Sequence, residues 1–158
     1  MSLTPLHQAA SFGDAKRVRK LLNSPEIDPN YPGLTLAPPD LFHPDPIYVH
    51  PLVAAGTTEV LRIMINHPRI NAAQPMGYRS ILKQFIYNAF LGNMPESVLL
   101  ERIKILFSSK QEIDVTHIHR NDYRDGKETT AHDMAVDRQY GKVAELILEY
   151  MKNKEKTK

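Results

Sequence analysis

Thr4-Pro5-Leu6-His7-Gln8-Ala9-Ala10-Ser11-Phe12-Gly13 is the stretch that decides the fold, and Asp14-Ala15-Lys16-Arg17-Val18-Arg19-Lys20-Leu21-Leu22 completes it. A threonine before a proline starts a helix. Its hydroxyl caps unpaired N–H groups, and the proline ring already holds the helical φ. Small alanines let this helix pack closely on a neighbour. Gly13 then permits a tight turn into a second helix. Val18, Leu21 and Leu22 fall at helical spacing along that helix. Asn23-Ser24-Pro25 ends it, so the stretch reads as two helices folded back on each other.

The same pattern recurs down the chain. Val60-Leu61-Arg62-Ile63-Met64-Ile65 precedes Asn66-His67-Pro68, and Ile103-Lys104-Ile105-Leu106-Phe107 precedes Ser108-Ser109. Val143-Ala144-Glu145-Leu146-Ile147-Leu148 closes the series. After the first three come matching apolar–polar pairs, Ile27-Asp28, Ile70-Asn71 and Ile113-Asp114. The openings correspond too: His50-Pro51-Leu52-Val53-Ala54-Ala55-Gly56 in the second unit and Thr130-Ala131-His132-Asp133-Met134-Ala135-Val136 in the last. Recurrence of this kind marks a repeat architecture.

The stretch from Thr4 to Leu22 resembles an ankyrin repeat, whose unit opens Thr-Pro-Leu-His-x-Ala-Ala-x-x-Gly. Gly56 to Ile65 resembles the second ankyrin helix, and Thr130 to Leu148 resembles a full unit. Asp114 to Thr130 is similar to an inter-repeat hairpin, with Asp125-Gly126 at its turn. The resemblance implies an all-α solenoid of four helix-turn-helix units with long inter-repeat loops, about 4–30, 48–71, 79–115 and 129–151. These form one domain over 1–152, followed by a frayed basic tail at 153–158. The anchors Leu21, Met64, Leu106 and Ile147 recur at a little over forty residues, against about 33 in the family, so the array is irregular. The second unit is short in its first helix. The third lacks the Thr-Pro-Leu-His opening and breaks at Asn93-Met94-Pro95-Glu96. In the fourth, Gln139 stands where the turn glycine would be and Gly141 follows. The insertion 31–48 carries Pro32, Pro38, Pro39, Pro44 and Pro46, a density that excludes helix and sheet ladders. Its apolar side chains either cover exposed core or recognise a partner.

Bulk properties narrow the function. Twenty basic and 18 acidic side chains give a net charge of +2, which argues against nucleic-acid binding by phosphate neutralisation. The absence of cysteine excludes disulfides, thiolate zinc sites and a cysteine nucleophile. No apolar run approaches the ~20 residues of a membrane span, and Met1 to Ala10 shows no secretory signal. A cytoplasmic or intracellular protein is expected, with delivery into a host cell as an alternative. The polar outer residues Asp14, Lys16, Arg17, Arg19 and Lys20 at one end, and Lys142, Glu145, Glu149 and Lys152 at the other, fit terminal units of a whole protein.

Candidate chemistry is sparse. His117 and His119 with Asp114 or Asp122 offer too few convergent ligands for zinc. His43 and His50 with Asp40 and Asp45 are discounted likewise. His7 matches the motif histidine, which in the family is a structural hydrogen-bonding residue at the repeat junction. There is no phosphate loop, nucleophile elbow or His-Glu-x-x-His, and the one-face pair Asp133 and Asp137 has no cleft around it. The reading is therefore not an enzyme, with no metal, cofactor or small-molecule substrate. It is an interaction module that binds a protein of unknown identity on a concave face of first helices and hairpin tips. The residues assigned to that face are Phe12, Tyr31, Phe42, Tyr48, Tyr78, Arg120, Tyr123, Arg124 and Arg138. A secreted bacterial effector and a metal-dependent enzyme are the alternatives.

Overall fold

A computed structural model describes residues 4–34, 48–75, 80–117, 123–124, 127–128 and 130–156. The chain opens with α1 (Pro5–Ser11) and α2 (Ala15–Leu22). A 3-10 helix (Pro51–Ala54) and α3 (Thr58–Ile65) follow, then α4 (Ile81–Leu91) with α5 (Glu96–Phe107), and α6 (Ala131–Asp137) with α7 (Gly141–Lys156). The elements stack in two layers. α1, the 3-10 helix, α4 and α6 pack in succession, and α2, α3, α5 and α7 do the same beside them. The fold is helical, as the repeat pattern predicts.

Local chemistry explains where the helices begin. Thr4 accepts a hydrogen bond from the His7 N–H through its hydroxyl, and its own N–H donates to His7 Nδ1. Thr130 and Asp133 make the same reciprocal pair at α6. Asp14, Thr57 and Ser80 cap α2, α3 and α4 with their side chains.

The turns inside units one, three and four are one motif. The Asp14 amide donates five residues back to Ala9 O at 3.0 Å, Met94 to Ala89 O at 2.8 Å, and Tyr140 to Ala135 O at 2.8 Å. The residue before each donor has positive φ: Gly13 at 72°, Asn93 at 53° and Gln139 at 63°. Gln139 thus takes the left-handed position itself, and Gly141 simply starts α7. The second unit is different. Its first helix is reduced to the 3-10 helix, and Gly56 answers a close approach instead of a left-handed turn. Its amide donates to Ala10 O at 2.9 Å, and a Cβ there would clash with the Ser11 carbonyl oxygen.

Three expectations change. The insertion does carry a ladder: β1 (Gly33–Leu34) pairs antiparallel with β2 (Tyr48–Val49), because non-proline residues at its two ends come together. The prolines Pro38, Pro39, Pro44 and Pro46 lie outside the described residues. β3 (Tyr123–Arg124) pairs with β4 (Lys127–Glu128), in the register of a two-residue connection, although Asp125 and Gly126 also lie outside them. In α2 it is Leu22, not Leu21, that is fully buried, because Leu21 faces the side of the helix. The stretch read as a frayed tail is helical through Lys156, since α7 continues past the last core residue.

The core runs through both layers and includes Leu6, Leu22, Leu52, Leu61, Met64, Leu82, Ile86, Leu99, Ile103 and Ile147, all fully buried. α4 is enclosed so completely that Lys83 is 0% exposed and Gln84 3%. Its flanks explain this: the 3-10 helix and α6 cover it from two sides and α5 from a third.

Two substitutions test the turn geometry. Gln139→Gly should stabilise the protein by about 0.5–1 kcal/mol, because glycine occupies positive φ without strain. Gly56→Ala should destabilise it by about 1–3 kcal/mol through overpacking. Urea midpoints at constant m-value report both. Equal midpoints for Gln139→Gly and wild type would show that the turn stores no strain.

Candidate binding surface

The ladder end of the first-helix layer is built around two histidines. His7, on α1, receives the Thr4 N–H at Nδ1, which leaves Nε2–H to donate to Val49 O at 2.7 Å. His50, at the start of the 3-10 helix, accepts the Leu52 N–H at Nδ1, 3.1 Å away, and donates Nε2–H to Asn30 Oδ1 at 3.0 Å. Burial lowers the His50 pKa to about 3, and the nearby His7 adds to the shift. Burial also lowers that of His7, against an opposing contribution from the Val49 carbonyl. The sequence reading of His7 as a junction residue agrees with this geometry. His50 is a structural residue as well, held neutral with both ring nitrogens occupied.

Asn30 ties the loops together. Its Nδ2 donates to Arg69 O at 2.8 Å, its Oδ1 accepts the Asn71 N–H at 2.7 Å, and its carbonyl accepts from Gln74. Arg69 reaches back to the end of α2, donating to Leu22 O at 2.7 Å, to Ser24 O at 2.8 Å and to Ile27 O. Gln111 makes the equivalent link to the next loop, accepting the Ala72 N–H and donating to Ile70 O. Sequence reasoning did not single out Arg69 or Gln111. A lone polar residue in a turn gives no sign of which carbonyl it will reach.

The predicted surface residues fall into two groups. Phe12 and Arg138 are the C-caps of α1 and α6. Tyr31 precedes β1, while Tyr48 lies in β2 and Tyr123 and Arg124 form β3. The ladder at β2 meets the N-terminal turn of α1 through His7, and seven residues of helix rise about 10 Å. Phe12 therefore stands a helix length from the ladder. Phe42, Tyr78 and Arg120 lie outside the described residues.

Phe12 is 85% exposed and Tyr31 56%. Leu91 at 61% and Val136 at 53%, not picked out by sequence, join Phe12 at the far ends of the first helices. Their signal was available: all follow the buried alanines Ala9, Ala89 and Ala135 by one to three residues. Arg138 places its guanidinium carbon 3.9 Å from the centre of the Phe90 ring and so bridges α4 and α6. Cation and ring attract through the ring quadrupole.

Of the residues in the metal reading, Asp114, His117 and His50 are described. Asp114 accepts the Thr116 N–H and hydroxyl in a local turn, and His117 lines a shallow pocket with Ile81, Ile113 and Asp114. His119, Asp122, His43, Asp40 and Asp45 lie outside the described residues. Among the described residues no three His, Asp or Glu converge. Asp133 serves the α6 cap, and Asp137 is exposed. No described helix is long and apolar enough to cross a membrane.

The class that this geometry defines is a two-layer stack of paired helices with short ladders between units. The ankyrin-repeat family model matches residues 2–33, which span the first helix pair of the stack. The ankyrin repeat is a generic protein-interaction module, typically without enzymatic activity. No curated protein and no solved structure matches the chain.

The buried histidines give a pH dependence. A histidine with a folded pKa below its unfolded value of about 6.5 stabilises the fold fully above that value and loses the contribution as pH falls. For His50 the window runs from about 6.5 down to about 3. Between pH 7 and 5, above most carboxylate titration, stability should fall with a slope approaching about 1.4 kcal/mol per pH unit for one histidine. His50→Gln should start less stable but show a smaller slope. Equal slopes in urea titrations would remove His50 as the cause.

Proposed function

We propose that the protein binds a partner protein through its first-helix layer and the ladder and loop tips beside it. The single observation that carries this reading is the set of large apolar side chains left in water on that layer and on the loop before β1. Phe12, Tyr31, Leu91 and Val136 are each more than half exposed, while more than thirty other apolar side chains are packed into or against the core. Isolated exposed apolar residues are ordinary on protein surfaces. Three of them, Phe12, Leu91 and Val136, lie near the C-terminal ends of α1, α4 and α6, and such a grouping is a better match to an interface, where aromatic and arginine side chains act as anchors. Each unit of a repeat stack adds a strip to such a surface. Phe12, Tyr31 and Arg138 are the described anchors. Phe42, Tyr48, Tyr78, Arg120, Tyr123 and Arg124 complete the proposed set at the loop tips.

The partner is a protein, with neither metal nor cofactor needed for recognition. Affinity capture from lysate tests the surface with three proteins: wild type, Phe12→Ser with Leu91→Ser, and Tyr123→Ala with Arg124→Ala. A protein held by wild type should be lost, or held at least about tenfold more weakly, with one of the double variants. Phe12→Ser with Leu91→Ser should stay folded and within about 0.5 kcal/mol of wild type, because exposed side chains contribute little to stability. Undiminished retention by both variants would exclude these surfaces.

A further inference from the structure

The second-helix layer carries a separate surface at its first unit. α2 exposes Lys16, Arg17, Arg19 and Lys20, and its outward face has no acidic residue. None of the four side chains has an ion pair or hydrogen bond among the described residues. Together they carry twice the chain's net charge of +2. The other second helices mix their signs. Glu59 accompanies Arg62 on α3, and Arg62 pairs with Glu101 of α5 at 3.6 Å. Lys142 and Lys152 flank Glu145 and Glu149 on α7.

Arg19 and Lys20, in the last turn, suit the helix dipole, but stability alone does not select four neighbouring cations. Lys16 and Lys20 are four apart, and Lys16–Arg19 and Arg17–Lys20 are three apart, so like charges neighbour one another on the helix and repel. A face that only needed to be polar would be better served by interspersed acids. Of the carboxylates beside α2, Glu26 lies past its C-terminal end and is exposed. Asp14 caps the start of α2, and Asp28 accepts the Asn30 N–H beyond its end. Arg69 adds a further cation at the C-terminal carbonyls of α2.

We propose that the exposed face of α2 docks an acidic segment of a protein partner, as a site distinct from the first-helix layer. The footprint decides the class of partner. Eight residues of helix span about 12 Å. Beyond them the same layer presents Glu59, Glu101, Glu145 and Glu149. A duplex or an anionic membrane extends across several units and would meet those carboxylates. A short run of aspartate and glutamate would not.

The test measures binding of a fluorescein-labelled oligoglutamate peptide, about as long as α2, by anisotropy at low salt. The comparison probes are a labelled DNA duplex and vesicles of phosphatidylcholine with phosphatidylserine. The peptide should bind wild type and weaken as salt rises. Lys16→Glu with Arg19→Glu should weaken it at least about tenfold, whereas the matched pair Lys142→Glu with Lys152→Glu on α7 should leave it unchanged. Arg17→Gln with Lys20→Gln gives a milder second variant whose fold is checked by circular dichroism. Failure of the peptide to bind, an equal effect of the α2 and α7 pairs, or tighter binding to DNA or vesicles than to the peptide would overturn the proposal. The Phe12→Ser with Leu91→Ser protein should bind the peptide like wild type, so failure here is separable from failure of the first-helix surface.

Discussion

A backbone amide that reaches five residues back, past a residue of positive φ, sets up the rest of the structure. Where Asp14, Met94 and Tyr140 make that bond, each first helix stops and the chain reverses into its second helix. The reversal places both helices of a unit side by side, so their apolar faces meet the next unit in two parallel layers. The alanines that accept these bonds, Ala9, Ala89 and Ala135, are all buried, so turn and core are fixed by the same residues. The second unit lacks the bond and has a single 3-10 helix in place of a helix. It is held by its neighbours: Gly56 donates to Ala10 O, and Arg102 donates to Ala55 O from the following unit.

Side chains then lock units of unequal length into one stack. Backbone ladders of two residues cannot do much alone, and the work passes to Asn30, Arg69 and Gln111, which bond to carbonyls and amides of the adjacent loop. The Phe107 and Tyr150 rings stack at 4.1 Å between centroids, and the Tyr150 hydroxyl accepts the Ile113 N–H. Such contacts are indifferent to loop length. They allow insertions of different sizes between units while the helical layers stay in register.

What the sequence made legible was local. The capping threonines, the alanines and the apolar spacing of α2, α3 and α7 are each decided within one or two turns of chain, and they were read from Thr4, Thr130 and Val143. The shortened second unit and the break at Asn93 were read for the same reason. The left-handed Gln139 was only half legible: the missing glycine was visible, but not that glutamine would take its φ. Junctions were illegible because they join residues some forty positions apart. Arg69 on the end of α2 and the neutral His50 depend on what the fold brings near them. The candidate surface divided for the same reason. Phe12 and Tyr31 are both exposed, but the length of α1 separates the places they occupy.

Two helix ends are completed by a neighbouring unit. Glu96, on α5, accepts the Lys142 and Val143 N–H groups at the start of α7, and Arg69, beyond α3, occupies the carbonyls at the end of α2. These units are therefore not interchangeable modules. Shuffling their order, or excising one to shorten the array, would leave a neighbouring helix with bare amides or carbonyls as well as an uncovered apolar face. The parts of the stack have fixed addresses, although its sequence is written as a repeat.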